Sequence, residues 1–288
     1  MAEDNMSLKD PIEVIDFLMA FTGRLSRKEL VSLADITNAT ATRWISGFID
    51  KYPEWLNFEN KIYKPTKGYI HGELFSHDPE AGLRFLAYGV IQRSVPETKT
   101  YAGQIPDIRE NTQLNTVVVA TICRSICSGE ALSMLYTSTT SGQTKRLIKP
   151  HSIFHAGGQW YFRSLSINGG TSDFRTFRFS RVVRAIECNE SSTTHNKLAP
   201  SDDIDWNTFG VLSICPHPEH KERESLSNDL GISGNSVKNF NIRKVLAPYF
   251  LIDNHVDFTE DHNQDSKSHP YWLANLEDLT DLAFLTKS

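Results

Sequence analysis

From residue 10 to residue 50, apolar side chains recur at intervals of three and four, the spacing of amphipathic helices. Asp10-Pro11-Ile12-Glu13 sets an N-cap, a first-turn proline and a capping-box glutamate ahead of Val14, Ile15, Phe17, Leu18 and Phe21, and Gly23 closes the run. Ser26-Arg27-Lys28-Glu29 repeats the start signal and predicts a helix to about Ala34, with Leu30, Leu33 and Ala34 inward. After a short turn at Asp35-Ile36, Thr37 caps a third helix running to about Asp50. In it Ala41, Trp44, Ile45, Phe48 and Ile49 form one stripe. The opposite face presents Ala39, Arg43 and Ser46, flanked by Thr40, Thr42 and Gly47. Trp55–Phe58 and Lys61–Lys64 then predict a hairpin about Glu59-Asn60.

Two further helices follow. Asp78–Val95 would turn Leu83, Leu86, Ala87, Val90 and Ile91 inward, and Gln113–Cys127 has Val117, Val118, Ile122 and Ile126 apolar, with a polar loop Pro96–Asn111 between them. From residue 130 the period changes to two. Strands are predicted at Leu132–Thr137, Ser152–His155, Gln159–Ser166 and Phe174–Val183, with a glycine turn at Gly157-Gly158 and a loop Asn168–Ser172. Alternation sets Trp160 and Phe162 on one face of their strand, Tyr161 and Arg163 on the other. In the next strand Phe177 and Phe179 share a face, leaving Thr176, Arg178 and Ser180 opposite. Two neighbouring strands thus pair a greasy side with a side of arginines among small polar groups, a surface suited to anions.

The remainder reads as a linker, Glu190–Asp205, and then a strand Phe209–Ile214 and helices Glu219–Leu230 and Asn235–Ala247, the second ended by Pro248. Tyr249–Ile252 and Val256–Phe258 look extended, and the acidic, His-rich stretch His255–Tyr271 reads as a mobile loop before Trp272–Leu285.

At 288 residues two or three domains are expected. Hydrophobic content of 39% and charged content of 23% are ordinary for a soluble globular chain. No apolar run approaches the ~20 residues that span a bilayer, and the polar, acidic start is no secretory signal. Cys123, Cys127, Cys188 and Cys215 lack a framework spacing and fit reduced thiols in cytoplasm. The net charge of −5 conceals a division. Residues 20–70 carry eight Lys and Arg against five Asp and Glu, residues 130–188 eight against three, and residues 189–288 eight against sixteen. Local charge decides what a surface attracts, so two positive islands and an acidic end imply different partners.

Around the arginine-bearing strands the ordered set Tyr136, Arg146, Pro150-His151, Trp160-Tyr161-Phe162, Phe174-Arg175-Thr176-Phe177 and Ser180-Arg181 resembles the WYL domain of bacterial transcriptional regulators, with Phe in place of the Leu. Helix, helix, tight turn, helix and hairpin is the order of a winged helix-turn-helix, with which that domain commonly travels. The run from Asn241 to Leu251 resembles one found in the subgroup that controls phage-defence operons, the BrxR and CapW repressors. The expected fold is α+β and multidomain. It comprises a winged helix-turn-helix over 1–75, connecting helices over 76–129, a WYL barrel of the Sm/SH3-like kind over 130–190, and an α/β dimerisation domain over 205–288.

The resemblance implies a homodimeric repressor of a BREX-like operon, bound to an inverted-repeat operator in double-stranded DNA. Asn38, Ala39, Thr40, Thr42, Arg43 and Ser46 would face the major groove, where arginine reads guanine edges, with Lys61 and Lys64 on backbone phosphates. Tyr136, His151, Tyr161, Arg163, Arg175, Arg178 and Arg181 would hold an anionic, nucleotide-containing ligand, such as short single-stranded DNA or a cyclic nucleotide. Arginine forks suit phosphates and aromatic rings suit stacked bases. Activation in place of repression, or a nucleic-acid-sensing adaptor whose helical head serves protein contacts, are the alternatives. No phosphate loop, GxSxG, HExxH or zinc-finger spacing is present, so no catalytic residue, metal or cofactor is expected. Cys123 with Cys127, and Cys215 with His217 and His220, read as core and turn residues sooner than as ligands.

Overall fold

The computed structural model describes residues 10–89, 114–168, 171–188, 198–234 and 236–279. Its backbone divides into two compact units, one of residues up to 155 with 159–197, the other of 156–158 with residues from 198 onward.

The first unit begins with α1 (Pro11–Thr22), where the Asp10 side chain accepts from the Ile12 N–H at 2.8 Å and Gly23 ends the helix at φ 67°. Every residue from Val14 to Phe21 is buried. The helix is enclosed because it serves two cores. Val14, Ile15, Leu18 and Met19 pack with Leu25, Leu30, Ala41, Ile45 and Phe48, whereas Phe17, Ala20 and Phe21 belong to a second cluster. Asp16 lies inside this wrapping. Its carboxylate is 2.7 Å from His77 Nε2 and accepts from the Tyr69 hydroxyl at 2.8 Å, so the buried charge is compensated from two sides.

The Ser26–Glu29 capping box opens α2 (Arg27–Ala34), and Thr37 caps α3 (Asn38–Lys51) as its spacing predicts. The hairpin β1 (Leu56–Glu59) and β2 (Ile62–Pro65) turns at Asn60 and Lys61, both at positive φ, one residue later than expected, so Lys61 stands in the turn. Leu25 and Tyr63 exchange two backbone bonds of 2.8 Å, which tie the turn after α1 to the hairpin.

Two helices connect this head to a sheet. α4 (Pro79–Tyr88) stops at Gly89, φ 68°, well short of Val95, and Val90 to Asn111 lie outside the described residues. α5 (Thr116–Ser128) turns Val118, Val119, Ile122 and Cys123 inward, while the apolar Val117 is 57% exposed. The buried face is set by packing of α5 against both α1 and the sheet. A Cβ on Gly82 of α4 would stand 2.3 Å from the Phe21 ring. Gly82→Ala should therefore cost about 1–3 kcal/mol of stability through overpacking, despite alanine's better helix propensity. A thermal midpoint equal to or above wild type would show that contact to be loose.

The sheet is built from β3 (Leu132–Ser138), β4 (Gly142–Ala156), β5 (Gln159–Asn168), β6 (Thr171–Arg178) and β7 (Val182–Glu187), in the order β6-β5-β4-β3-β7. The short strand expected at Ser152 is the end of a strand of 15 residues. The single strand expected from Phe174 to Val183 is broken by a 3-10 turn, Phe179–Arg181. That turn alone carries the chain from one edge strand to the other, so the sheet curls its edges together. Arg178 N–H donates to the Tyr136 hydroxyl at 3.3 Å across this closure. Leu132, Met134, Ile148, Trp160, Phe162, Phe177 and Phe179 line the concave core with α5.

The second unit contains α6 (Ile204–Asn207), β8 (Phe209–Pro216), α7 (Arg223–Leu230), β9 (Lys238–Arg243), α8 (Ala247–Asp253), β10 (Val256–Asp257) and β11 (Tyr271–Leu273). Its sheet runs β10-β11-β8-β9. The linker reading fails from Pro200 on, where a 3-10 turn leads into α6; residues 189–197 lie outside the described residues. The helix expected over Asn235–Ala247 is a strand followed by a 3-10 turn, and Pro248 begins α8 where it was expected to end a helix. Proline is well suited to a first helical turn, where its missing N–H costs nothing. Tyr249–Ile252 is accordingly helical, not extended. The stretch expected to be mobile is laced down by Asp257, which accepts from the Thr259 N–H and hydroxyl and the Gln264 N–H. Trp272 falls in β11, and the part of Trp272–Leu285 beyond Leu279 lies outside the described residues. No helix among the described residues is long and apolar enough to cross a membrane.

Candidate nucleic-acid interface and anion-binding face

α3 is held by its apolar stripe, which leaves Asn38, Ala39, Thr42, Arg43 and Ser46 exposed and Thr40 half-buried. The helix start organises this face. Thr37 and Thr40 hydroxyls lie 3.0 Å apart, and Arg43 donates to Thr40 at 3.5 Å, so the arginine leans along the helix toward its N-terminus. Thr42 donates to the Asn38 carbonyl at 2.9 Å and accepts from Arg27 Nη1 at 3.3 Å. A side chain added at Gly47 would meet nothing within 4 Å. Small residues thus surround one long cation on an exposed surface. Lys61 is exposed at the hairpin tip, and Lys64, also exposed, is 4.0 Å from Glu59. Arg27 escaped the sequence reading because Ser26–Glu29 was read as a cap alone, though the first residue after an N-cap is well placed to face outward.

On the curled sheet, the register Tyr161↔Arg178 and Arg163↔Thr176 gathers Tyr161, Arg163 and Arg178 on one face. The Arg178 guanidinium lies 5.7 Å above the Tyr161 ring, which stacks on Phe154 at 5.2 Å and 12°. Arg163 is buried and donates to Thr176 at 3.3 Å. Arg178 Nε is buried and without a hydrogen-bond partner among the described residues. An unsatisfied donor on a cation carries a desolvation cost that an anion would relieve.

His151 shares a 2.9 Å hydrogen bond with Ser152 and meets this face edge-on at Phe174, 5.8 Å away. Tyr136 joins through its hydroxyl bond to the Arg178 backbone, while its ring sits in the core against Phe177. Arg181 is half-buried in the 3-10 turn. Arg175 is set apart: it pairs across from Ser164, on the face of Phe162 and Phe177, and binds Asp173 at 2.6 Å. Phe154 was not expected here, and Arg146, though part of the ordered set, was not among the expected ligand residues. Arg146 covers the Tyr136 and Phe177 rings at 5.6 Å each. Phe154 was legible from alternation, had its strand been read at full length.

The remaining candidate ligands are otherwise engaged. Burial pushes the Cys123 thiol well above the usual range, where it stays protonated. Cys215 lies 3.9 Å from the Trp272 carbonyl, His217 bonds Glu219 N–H and Asp257, and His220 accepts from Glu222 N–H. Among the described residues no three His, Cys, Asp or Glu side chains gather as a metal site.

Residues 117–187 match the WYL domain, a span that includes most of α5, and residues 211–279 match the C-terminal dimerization domain of the BrxR transcriptional regulator. The DNA-binding transcriptional repressor CapW of Escherichia coli (strain KTE188) is 25% identical over 259 residues, 87% of this chain and 84% of its own. A second Escherichia coli CapW sequence matches to the same extent. Among solved structures, proteasome accessory factor B/C of Arthrobacter aurescens covers 99% of this chain at 14% identity and a TM-score of 0.25, and this chain spans 49% of that one.

Proposed function

We propose that this chain, which carries a WYL domain and a C-terminal dimerization domain of the BrxR type, is a homodimeric repressor that binds an inverted-repeat operator in double-stranded DNA. The observation that carries the reading is the outer face of α3, where Arg43 stands among Ala39, Thr42, Ser46 and Gly47 with Arg27 and Lys61 also exposed. α1 to α3 and the hairpin form a winged helix-turn-helix in this reading, with α3 in the major groove, Arg43 on base edges and the hairpin lysines on phosphates. Two half-sites about one helical turn apart supply the discrimination that one helix lacks. The similarity to CapW, a DNA-binding transcriptional repressor, supports repression. The operon repressed in this proposal is a phage-defence operon of the BREX-like kind, and the site of action is the cytoplasm.

The curled sheet is a small sensor barrel in this proposal. Tyr161, Arg163 and Arg178, with Phe154, Tyr136 and His151 around them, take a nucleotide-containing anion, and Arg178 Nε marks where a phosphate oxygen settles. A ligand that lifts repression must bind the DNA-free conformation more tightly, because only differential affinity shifts the equilibrium. Arg163→Ala and Arg178→Ala should keep affinity for the chain's own upstream DNA and lose release. Fluorescence anisotropy with that DNA, titrated with short single-stranded oligonucleotides and cyclic nucleotides, measures both. Release by no member of the panel, or unchanged release in both variants, would remove this face as the sensor.

A further inference from the structure

Arg124, on α5, sends its guanidinium in three directions. Nη1 donates to the Ala20 carbonyl of α1 at 2.7 Å, Nε to Glu187 at the end of β7 at 2.7 Å, and Nη2 to Thr121 on its own helix at 3.3 Å. Ala20 lies in the last turn of α1, where carbonyls lack helical partners and the dipole is negative, so a cation there is held strongly. Gly23 leaves the room: a Cβ at that position would come within 3.3 Å of the Arg124 side chain. His71, whose ring lies 6.3 Å from that of Phe21, is pushed down to about 4 by burial and by Arg124, so it adds no competing cation at neutral pH.

The three partners lie on a short physical route. β7 starts directly after the turn that bears Arg181, three residues beyond Arg178, and six residues later ends at Glu187. A strand of that length is a stiff connector of roughly 20 Å. On the far side of Arg124, α1 packs its Val14, Ile15 and Leu18 face with Ala41, Ile45 and Phe48, the inner stripe of α3. Arg124 itself is one-fifth exposed and Glu187 about half, so this joint is a polar contact that can break and reform, set between two close-packed cores.

We propose that Arg124 is a positioning residue that couples the anion-binding face of the sheet to α3, with Glu187 as the adjustable partner and the Ala20 carbonyl as the fixed one. The inference rests on the function proposed above for those two surfaces. Movement of β7 on ligand binding changes the hold of Glu187 on Arg124, and Arg124 passes that change to the last turn of α1 and so to the seat of α3. Coupling of this kind is a shared free energy, so once Arg124 is gone, changing Glu187 has nothing further to remove along this route.

The test is hydrogen exchange on the full chain, comparing Glu187→Gln, Arg124→Met and the double variant. Glu187→Gln should raise exchange roughly tenfold in the last turn of α1 and in α3, the loss expected for one charge-assisted hydrogen bond. The double variant should exchange no faster there than Arg124→Met alone. Upstream-DNA affinity, read by anisotropy, should follow the same non-additive pattern although Glu187 is on the sheet. Glu187→Gln is the mild variant, at a half-exposed position, and keeps the experiment interpretable if Arg124→Met folds poorly. Additive effects, or an effect of Glu187→Gln confined to β7 and α5, would overturn the coupling. If the wild-type chain binds no upstream DNA, the functional reading fails by itself, and the exchange comparison still decides the role of Arg124.

Discussion

Arg43→Ala is expected to remove most or all sequence-specific binding to the upstream DNA while leaving weak, salt-sensitive binding to any duplex. One bidentate arginine–guanine pair carries about 1–3 kcal/mol of discrimination, and a symmetric dimer gives up two, so specific affinity falls by roughly 30-fold to more than 10⁴-fold. The fold should be untouched, because Arg43 is exposed and its one described bond is to Thr40 at 3.5 Å. Lys61→Ala and Lys64→Ala give the contrasting result. They weaken specific and random duplexes alike and flatten the salt dependence by about one unit of slope for each phosphate no longer neutralised. Anisotropy titrations at several salt concentrations separate the two patterns. Full specific affinity in Arg43→Ala at moderate salt would remove α3 as the reading helix.

The second large effect is expected from removing the C-terminal unit. A chain ending near residue 190 loses the region that matches the dimerization domain, over 211–279. It should sediment as a monomer and bind a two-half-site operator about 10² to 10⁴ times more weakly, the usual gain from joining two binding modules. Residues 206–288 alone should self-associate, since that unit has its own core of Leu212, Ile214, Leu251, Val256 and Leu273. The expected surface is the outer face of β8, where Phe209 is 50% and Val211 46% exposed. Light scattering on both fragments gives the answer. A full-length monomer that still binds the operator tightly would end the dimer argument.

The contrast between Arg175 and Arg178 shows how far alternation reaches. Residues three apart on a strand face opposite ways, so the sequence itself separates them, and the register confirms it by pairing Arg175 with Ser164 and Arg178 with Tyr161. Resemblance had grouped them in one site. The break at Phe179–Arg181 was not readable, because Phe177 and Phe179 keep the strand period through it. Only the need to bring the chain from β6 to the far edge beside β3 forces the turn there.

What the sequence determined by itself was local. Caps at Asp10, Ser26 and Thr37, the stripe of α3, the glycine turn before β5 and the alternation of Trp160, Tyr161, Phe162 and Arg163 all follow from contacts within a few residues. The exposed face of α3 was legible for that reason: once the stripe is buried, its opposite side has nowhere to go but solvent. The tertiary structure decided what depends on partners distant in the chain. Pro248 could end one helix or begin another, and packing of Ala247 and Leu251 against Leu212 and Ile214 chose the second. Asp16 could not be recognised as the centre of a buried pair, because Tyr69 and His77 are 53 and 61 residues away. Arg124 joins Ala20 across 104 residues and Glu187 across 63, and no periodicity records a bond of that range. Backbone preference and burial pattern act along the chain, whereas the pairing of a buried charge is settled only when separate segments meet and each must find its counterpart out of water.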